Sequence, residues 1–206
     1  MIRVVGSLLL AAVAATAQYK AEPAGAPPSE VSPAILATLQ KTGSKIAGPN
    51  GAYAEIWLRA ALPAGPKSAE PNVSLPSLQI GDLLGVLRFP GKGSDRRGQP
   101  IPAGVYILRY GNFPINGDHQ GVAPQRDFLV LTPAAADQSA DRVKDLESLM
   151  ALSKKASAGT HPAVLSFWKA DDFKPGLEKE GESDWVLQTK LGDVAVAIIV
   201  IGKAEA

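Results

Sequence analysis

Residues 104–133 read GVYILRYGNFPINGDHQGVAPQRDFLVLTP, and this stretch decides the expected fold. Residues 105–110 at its start and 127–131 at its end are rich in β-branched and aromatic side chains, which favour extended strands. The roughly 16 residues between them are enough for a long loop, and long loops on a β scaffold commonly carry function. We therefore predict two strands of a sheet joined by a polar loop.

Strand-like segments continue on both sides of this stretch. Those with the same apolar, β-branched character are residues 83–89, 162–168, 185–190 and 194–201. Residues 194–201 form a nearly continuous apolar run, which is typical of a strand buried on both faces. Residues 44–62 predict a hairpin, because Pro49-Asn50-Gly51 tolerates the positive φ of a tight turn. The prolines between residues 63 and 78 argue against a central strand there.

One segment departs from the β pattern. Between residues 137 and 155, apolar side chains recur at spacings of three and four, which predicts an amphipathic helix. Lys154 and Lys155 at its end favour the negative pole of the helix dipole. Short strands, frequent turns and one helix predict a mainly β protein, an antiparallel β-sandwich (jelly-roll-like) with one amphipathic α-helix.

The first residues predict export. Arg3 precedes an apolar run, and Ala15-Thr16-Ala17 matches the small-x-small pattern after which signal peptidase cleaves. The run is short for a bilayer span, so we expect residues 1–17 to be a signal peptide and the exported chain to have no integral membrane span. The expected location is the periplasm or the extracellular medium.

The remaining chain is expected to fold as one domain. Residues 18–33, rich in proline, alanine and glycine, are expected to form a flexible leader. Residues 34–206 then hold a single β-sandwich domain, since 206 residues suffice for one ordinary core.

Composition limits the partners. The chain has 21 basic and 20 acidic residues, a balance that argues against a nucleic-acid partner. The absence of cysteine excludes thiolate metal sites, cysteine nucleophiles and disulfide scaffolds. Since the only two histidines, His119 and His161, are far apart in sequence, we expect no bound metal and no cofactor. The expected partner is an unknown small ligand or an envelope protein.

The loop between the two strongest strands holds the candidate binding site. Its chemistry-bearing side chains, with those at its borders, are Arg109, Asn116, Asp118, His119, Arg126 and Asp127. An arginine can hold a carboxylate or phosphate through two parallel hydrogen bonds, and Asp118 with His119 could form an acid–base pair. In the structural alternative, Arg126 and Asp127 pair with Arg109 and Asp118 and tie the loop down.

The same loop carries a resemblance. G-x-Y-x-L-R-Y at residues 104–110, P-x-x-G-D-H at 114–119 and R-D-F at 126–128 resemble the shared pattern of a family of uncharacterised exported bacterial proteins. This resemblance implies export and transfers no activity. Pro-Ala-Gly-x-Tyr at residues 102–106 is also similar to a strand start in another exported β-sandwich family, which implies the fold only by analogy.

Three function classes remain open. No G-x-S-x-G or H-E-x-x-H motif occurs, so we expect a non-enzymatic binding or accessory module that uses the 111–127 loop. One alternative is a hydrolase or metal-dependent enzyme that uses Asp118 and His119, and the other is a purely structural envelope module. His161, before Pro162, is expected to be a solvated turn residue.

Overall fold

A computed structural model describes residues 19–113, 115, 125–157 and 159–204 of the chain. Within them, one antiparallel sheet has the strand order β1-β2-β3-β4-β7-β8-β9-β12-β11-β10, and β5 pairs with β6. The strands are β1 (Lys20–Ala24), β2 (Gly43–Gly48), β3 (Gly51–Leu58), β4 (Leu83–Phe89), β5 (Gly93–Ser94), β6 (Pro100–Ile101), β7 (Gly104–Asn112), β8 (Asp127–Pro133), β9 (Val164–Lys169), β10 (Gly176–Glu180), β11 (Asp184–Leu191) and β12 (Val194–Ile201). The helices are α1 (Pro33–Leu36) and α2 (Leu146–Lys154).

The mainly β, antiparallel prediction is confirmed, but the strands form one curled sheet instead of two stacked ones. A twisted sheet of ten strands curls on itself, and here its two ends approach each other. Tyr19, beside β1, packs against Trp185 of β11 with ring centroids 5.3 Å apart. The sheet is therefore nearly closed and barrel-like, which corrects the sandwich prediction.

The core lies inside the curl, because alternate side chains of each strand point inward. Leu108 and Tyr110 of β7 pack there with Leu129 and Leu131 of β8. The opposite, outer face of the sheet is also covered, in part by α1 and α2, and this explains the apolar run of β12. Its Ile198 faces the interior cluster and its Ile199 a separate outer cluster, as the prediction of two buried faces requires.

The expected flexible leader is wrong over its first half. Residues 20–24 form β1, which pairs with β2 through Lys20↔Ala47 to Ala24↔Gly43. Pro23 is tolerated because β1 is an edge strand, where one side of the backbone needs no ladder partner. The sheet therefore begins at Lys20 and not after residue 33.

The helix prediction is correct in type but too long. α2 begins after Asp145, whose carboxylate accepts a hydrogen bond from the backbone N–H of Ser148 at 2.8 Å. Residues 137–144 are not helical, although Ala140 and Val143 of this stretch pack on the outer face of the sheet. Their helical spacing arose from a wrapping segment that places apolar side chains against the sheet without forming a helix.

Candidate functional site

Arg109, the first predicted site residue, is wholly buried on the outer face of β7. Its Nε and Nη2 donate to the two carboxylate oxygens of Asp137 at 2.7 and 2.6 Å. Further hydrogen bonds go to the carbonyl oxygens of Gly81, Asp141 and Ser139 at 2.9, 2.8 and 2.7 Å. A guanidinium has five N–H donors, and these contacts use all of them. Arg109 therefore fastens residues 137–141 to the sheet.

Asp127 is equally buried, but it faces the interior. Its Oδ1 accepts a hydrogen bond from the Tyr110 hydroxyl at 2.7 Å, and its Oδ2 accepts one from the backbone N–H of Ser74 at 2.8 Å. Burial, together with the neighbouring Asp127 charge, raises the pKa of Tyr110 well above its ordinary value, so its hydroxyl stays protonated and donates. Asp127 thus holds the proline-rich segment around Ser74 against the end of the core.

Arg126 anchors the same proline-rich segment from outside. Its Nε donates to the Phe113 carbonyl oxygen at 2.9 Å, and its Nη2 lies 3.1 Å from a Glu70 carboxylate oxygen. Nη1 donates to the Pro71 carbonyl oxygen. In the structural alternative, Arg126 and Asp127 pair with Arg109 and Asp118. The Arg109–Asp127 pair is not formed, because Arg109 points to the outer face and has Asp137 as its ion-pair partner. Asn116, Asp118 and His119 lie outside the described residues.

A cavity of about 270 Å³ opens beside α2, next to the predicted loop. We refer to it as the α2 cavity. Its floor is made by Phe113, Phe128 and Val164, and the two rings lie 4.5 Å apart between centroids. Gly111 stands opposite Phe128 in the β7–β8 register, and a Cβ at this position would lie 2.7 Å from the Phe128 ring. The absence of a side chain at Gly111 therefore makes room for the floor.

The α2 wall of this cavity is apolar and partly open. Leu146 and Met150, one helical turn apart, line it. Leu146 is 50% exposed, and Ile115, two residues beyond Phe113, is 65% exposed. They are the exposed large hydrophobic residues of the described chain, and Leu146 lines this cavity. Clustered exposed apolar residues mark binding surfaces more often than isolated ones do.

The rim of the α2 cavity is polar and carries no acid among its described residues. Arg97, His161 and Asn112 line it. Within the described chain, neither the Arg97 guanidinium nor the His161 imidazole has a hydrogen-bond or ion-pair partner. His161 is exposed, as expected of a turn residue, but it lies at a cavity and not in open solvent.

A buried hydroxyl lies next to this floor. Ser166 of β9 stands opposite Phe128 in the sheet register, two residues beyond Val164. Its Oγ is buried and has no hydrogen-bond partner among the described residues. Such groups are uncommon in native proteins, since a lost hydrogen bond costs free energy.

A second, larger hollow of about 550 Å³ lies at the seam between β1–β2 and β10–β11. Its acid, Glu22, is already paired with Lys20 at 2.6 Å and with Lys45 at 2.7 Å. These two ammonium groups, Lys20 first, lower the pKa of Glu22 to about 2. Because its carboxylate is satisfied within the sheet, this hollow is the weaker candidate.

The described residues contain no group of three or more His, Asp or Glu side chains placed to hold a metal ion. None of the helices among these residues is long and apolar enough to cross a membrane.

Comparison of the chain with protein-family models, with curated proteins and with solved structures finds no match.

The α2 cavity is the part of the site that sequence reasoning missed. Its residues come from five separated segments, around Arg97, Phe113, Phe128, Leu146 and His161. No local motif links them, because β-sheet topology alone brings them together. The one signal in the sequence was Gly111 between two aromatic strands, since a glycine inside a strand often marks a close approach.

Proposed function

We propose that this chain is an exported binding module that holds a small ligand with an apolar body in the α2 cavity. The observation that carries the proposal is a cavity with aromatic and aliphatic walls, a few polar rim groups and an exposed Leu146 at its opening. Ligand sites in proteins have this composition. At about 270 Å³ the cavity is slightly smaller than the roughly 300 Å³ at which ligand pockets begin, so a small ligand fits it.

The 111–127 loop contributes to this proposal through its borders. Phe113 and Phe128 supply the cavity floor, while Arg126 and Asp127 supply anchors for the fold. The enzyme alternative depends on Asp118 and His119, which lie outside the described residues. The structural-module alternative draws support from the closed contacts of Arg109 and Asp127, but it gives no role to the cavity.

Export remains part of the proposal, as does kinship with the exported bacterial proteins that share the 104–128 pattern. Cleavage after Ala17 would leave every described strand intact, because β1 begins at Lys20. Expression of the full chain in a bacterial host, followed by intact mass measurement of the periplasmic fraction, tests this. A mature chain that starts at Gln18 is expected, and a chain that retains Met1 would overturn export.

Ligand binding is testable with two probes of equal length, octanol and sodium octanoate. The chain has two methionines, so in protein that starts at Gln18 the methyl signal of Met150 is the single methionine signal in an NMR spectrum and reports on the cavity wall. We expect at least one probe to shift this signal saturably with one-site stoichiometry. If neither probe does so, the proposed function fails.

A matched pair of variants locates the binding. Leu146→Glu places a charge at the cavity opening, and Leu152→Glu makes the same change on the same helix at a residue that does not line the cavity. We expect Leu146→Glu to weaken binding about tenfold, since a lost leucine contact is worth about 1.5 kcal/mol. Leu152→Glu should leave the dissociation constant unchanged. Equal effects of the two variants would place the probe elsewhere.

A further inference from the structure

We infer that the ligand of the α2 cavity is an amphiphilic monoanion, whose carboxylate is bound by Arg97 at the rim and whose apolar part lies on the Phe113–Phe128 floor. This inference rests on the proposed function and adds the chemical class of the ligand.

The charge of the cavity carries the first step. Arg97 lines it with a guanidinium that has no partner in the described chain, and none of the described lining residues is an acid. The arginines of the fold anchors differ in this respect, because Arg88, Arg109 and Arg126 each pair with a carboxylate. Within the described part of the chain, one unpaired guanidinium at a cavity without an acidic side chain matches one negative charge on a ligand.

The support beneath Arg97 carries the second step. Asp95 is buried, and its Oδ1 accepts hydrogen bonds from the backbone N–H groups of Arg97 and Gln99 at 3.0 and 2.8 Å. The backbone N–H of Arg96 bonds the Val164 carbonyl oxygen at 2.9 Å, which ties this turn to a residue of the cavity floor. Since the backbone is fixed before binding, Arg97 loses less conformational entropy when it holds a ligand.

The two consecutive arginines of this turn, Arg96 and Arg97, have different surroundings. Arg96 is buried and donates to Asp184 at 2.7 Å, which joins the turn to β11. Arg97, the next residue, lines the cavity instead. Arg96 thus forms an ion pair within the fold, whereas Arg97 lies at the cavity with the apolar floor.

The side chains of the cavity walls indicate the chemistry of the rest of the ligand. Phe113, Phe128, Val164, Leu146 and Met150 offer apolar contact, which suits a short aliphatic chain or a single ring. His161 also lines the cavity, and its imidazole N–H can donate a further hydrogen bond. The ligand that these features select is a small carboxylic acid with its charge at the cavity opening.

The test compares octanoate with octanol by calorimetry and by the Met150 methyl signal, in wild-type protein, Arg97→Gln and Lys92→Gln. Lys92 lies just before β5 and is exposed, but it does not line the cavity, so its removal controls for a general loss of positive charge. We expect octanoate to bind wild type at least about tenfold more tightly than octanol, as a charge-assisted pair requires.

Arg97→Gln should abolish this preference while octanol binding stays unchanged, and Lys92→Gln should keep it. If octanol binds as tightly as octanoate, or if Arg97→Gln keeps the preference, the anion assignment fails while the proposed binding function stands. If neither probe binds wild type, the proposed function itself fails, so the two failures are distinguishable.

Discussion

Arg109 and Arg97 are the same residue type in opposite situations. Arg109 is fully buried and all of its donors are engaged by Asp137 and by three carbonyl oxygens. Arg97 sits on a fixed turn with its guanidinium at a cavity. The difference is that the chain itself supplies every partner of Arg109, whereas Arg97 lies beside apolar walls without a partner in the described chain.

The largest expected loss in the free energy of unfolding comes from replacing Arg109. Arg109→Met would leave the Asp137 carboxylate buried with one partner, the Thr132 hydroxyl, in place of the ion pair. Removing one partner of a buried ion pair typically costs about 3–5 kcal/mol. We expect a loss of this size in the free energy of unfolding, measured by urea denaturation.

Arg97→Met is the matched control for this change. It should alter the free energy of unfolding by no more than about 0.5 kcal/mol, since no described contact depends on its guanidinium. Similar losses in the two variants would show that the contrast between the two arginines is wrong.

A smaller loss is expected at the interior anchor. Tyr110→Phe removes the hydroxyl that donates to buried Asp127, and hydrogen bonds to charged groups contribute about 1.5–3 kcal/mol. Urea denaturation at neutral pH should show a loss in this range. An unchanged stability would mean that Asp127 is satisfied through Ser74 alone.

The stabilisation by the Tyr110 hydroxyl is expected to depend on pH in the alkaline range. The pKa of Tyr110 is raised in the folded protein by burial and by Asp127, from an ordinary value of 10.0. Above about pH 10 the unfolded chain loses the phenol proton while the folded chain keeps it, so the stabilisation by Tyr110 falls as pH rises. The stability difference between wild type and Tyr110→Phe should therefore shrink between neutral pH and pH values above 10. A constant difference would contradict the raised pKa.

The sequence predicted the strands well where apolar bulk marks them. Residues 83–89 and 194–201 became β4 and β12 with those bounds. It failed at β1, where Ala24 is the one fully buried side chain, so that pairing with β2 and not apolar alternation defines the strand. Pattern reasoning cannot detect such a strand, because the residues it pairs with lie 19 to 27 positions further along the chain.

The site was harder to predict for the same reason. Arg109 was identified as important, but its partner Asp137 lies 28 residues away and meets it only through the fold. Arg97 was not among the predicted site residues, since nothing in the local sequence places it at a cavity. The local sequence thus identified residues whose side chains can bind or react, whereas the topology of the sheet determines which of them are paired within the chain.

Arg126 should give a modest effect. Its side chain is 16% exposed and that of its partner Glu70 is 43% exposed, so the ion pair itself contributes at most about 1 kcal/mol. Arg126→Ala should cost about 1–2 kcal/mol, because the hydrogen bonds to the Phe113 and Pro71 carbonyl oxygens are lost as well. Glu70→Gln should cost less than about 0.5 kcal/mol. A larger loss for Glu70→Gln than for Arg126→Ala would reverse this assignment.

The smallest expected effect is at Ser166, opposite Phe128 of the α2 cavity floor, and buried Ser153 is its matched control. Ser153 Oγ donates to the Ala163 carbonyl oxygen at 3.2 Å and accepts from the Ala163 N–H at 3.0 Å, whereas Ser166 Oγ has no partner among the described residues. Ser153→Ala should cost about 1–3 kcal/mol by leaving the buried Ala163 N–H unpaired, since the Ala163 carbonyl oxygen still accepts from the Leu131 N–H. Ser166→Ala removes an unpaired hydroxyl and should change the free energy of unfolding by less than about 0.5 kcal/mol or raise it. A loss above about 1 kcal/mol at Ser166 would show that its hydroxyl is satisfied in solution, and the floor of the α2 cavity would then be more polar than its side chains indicate.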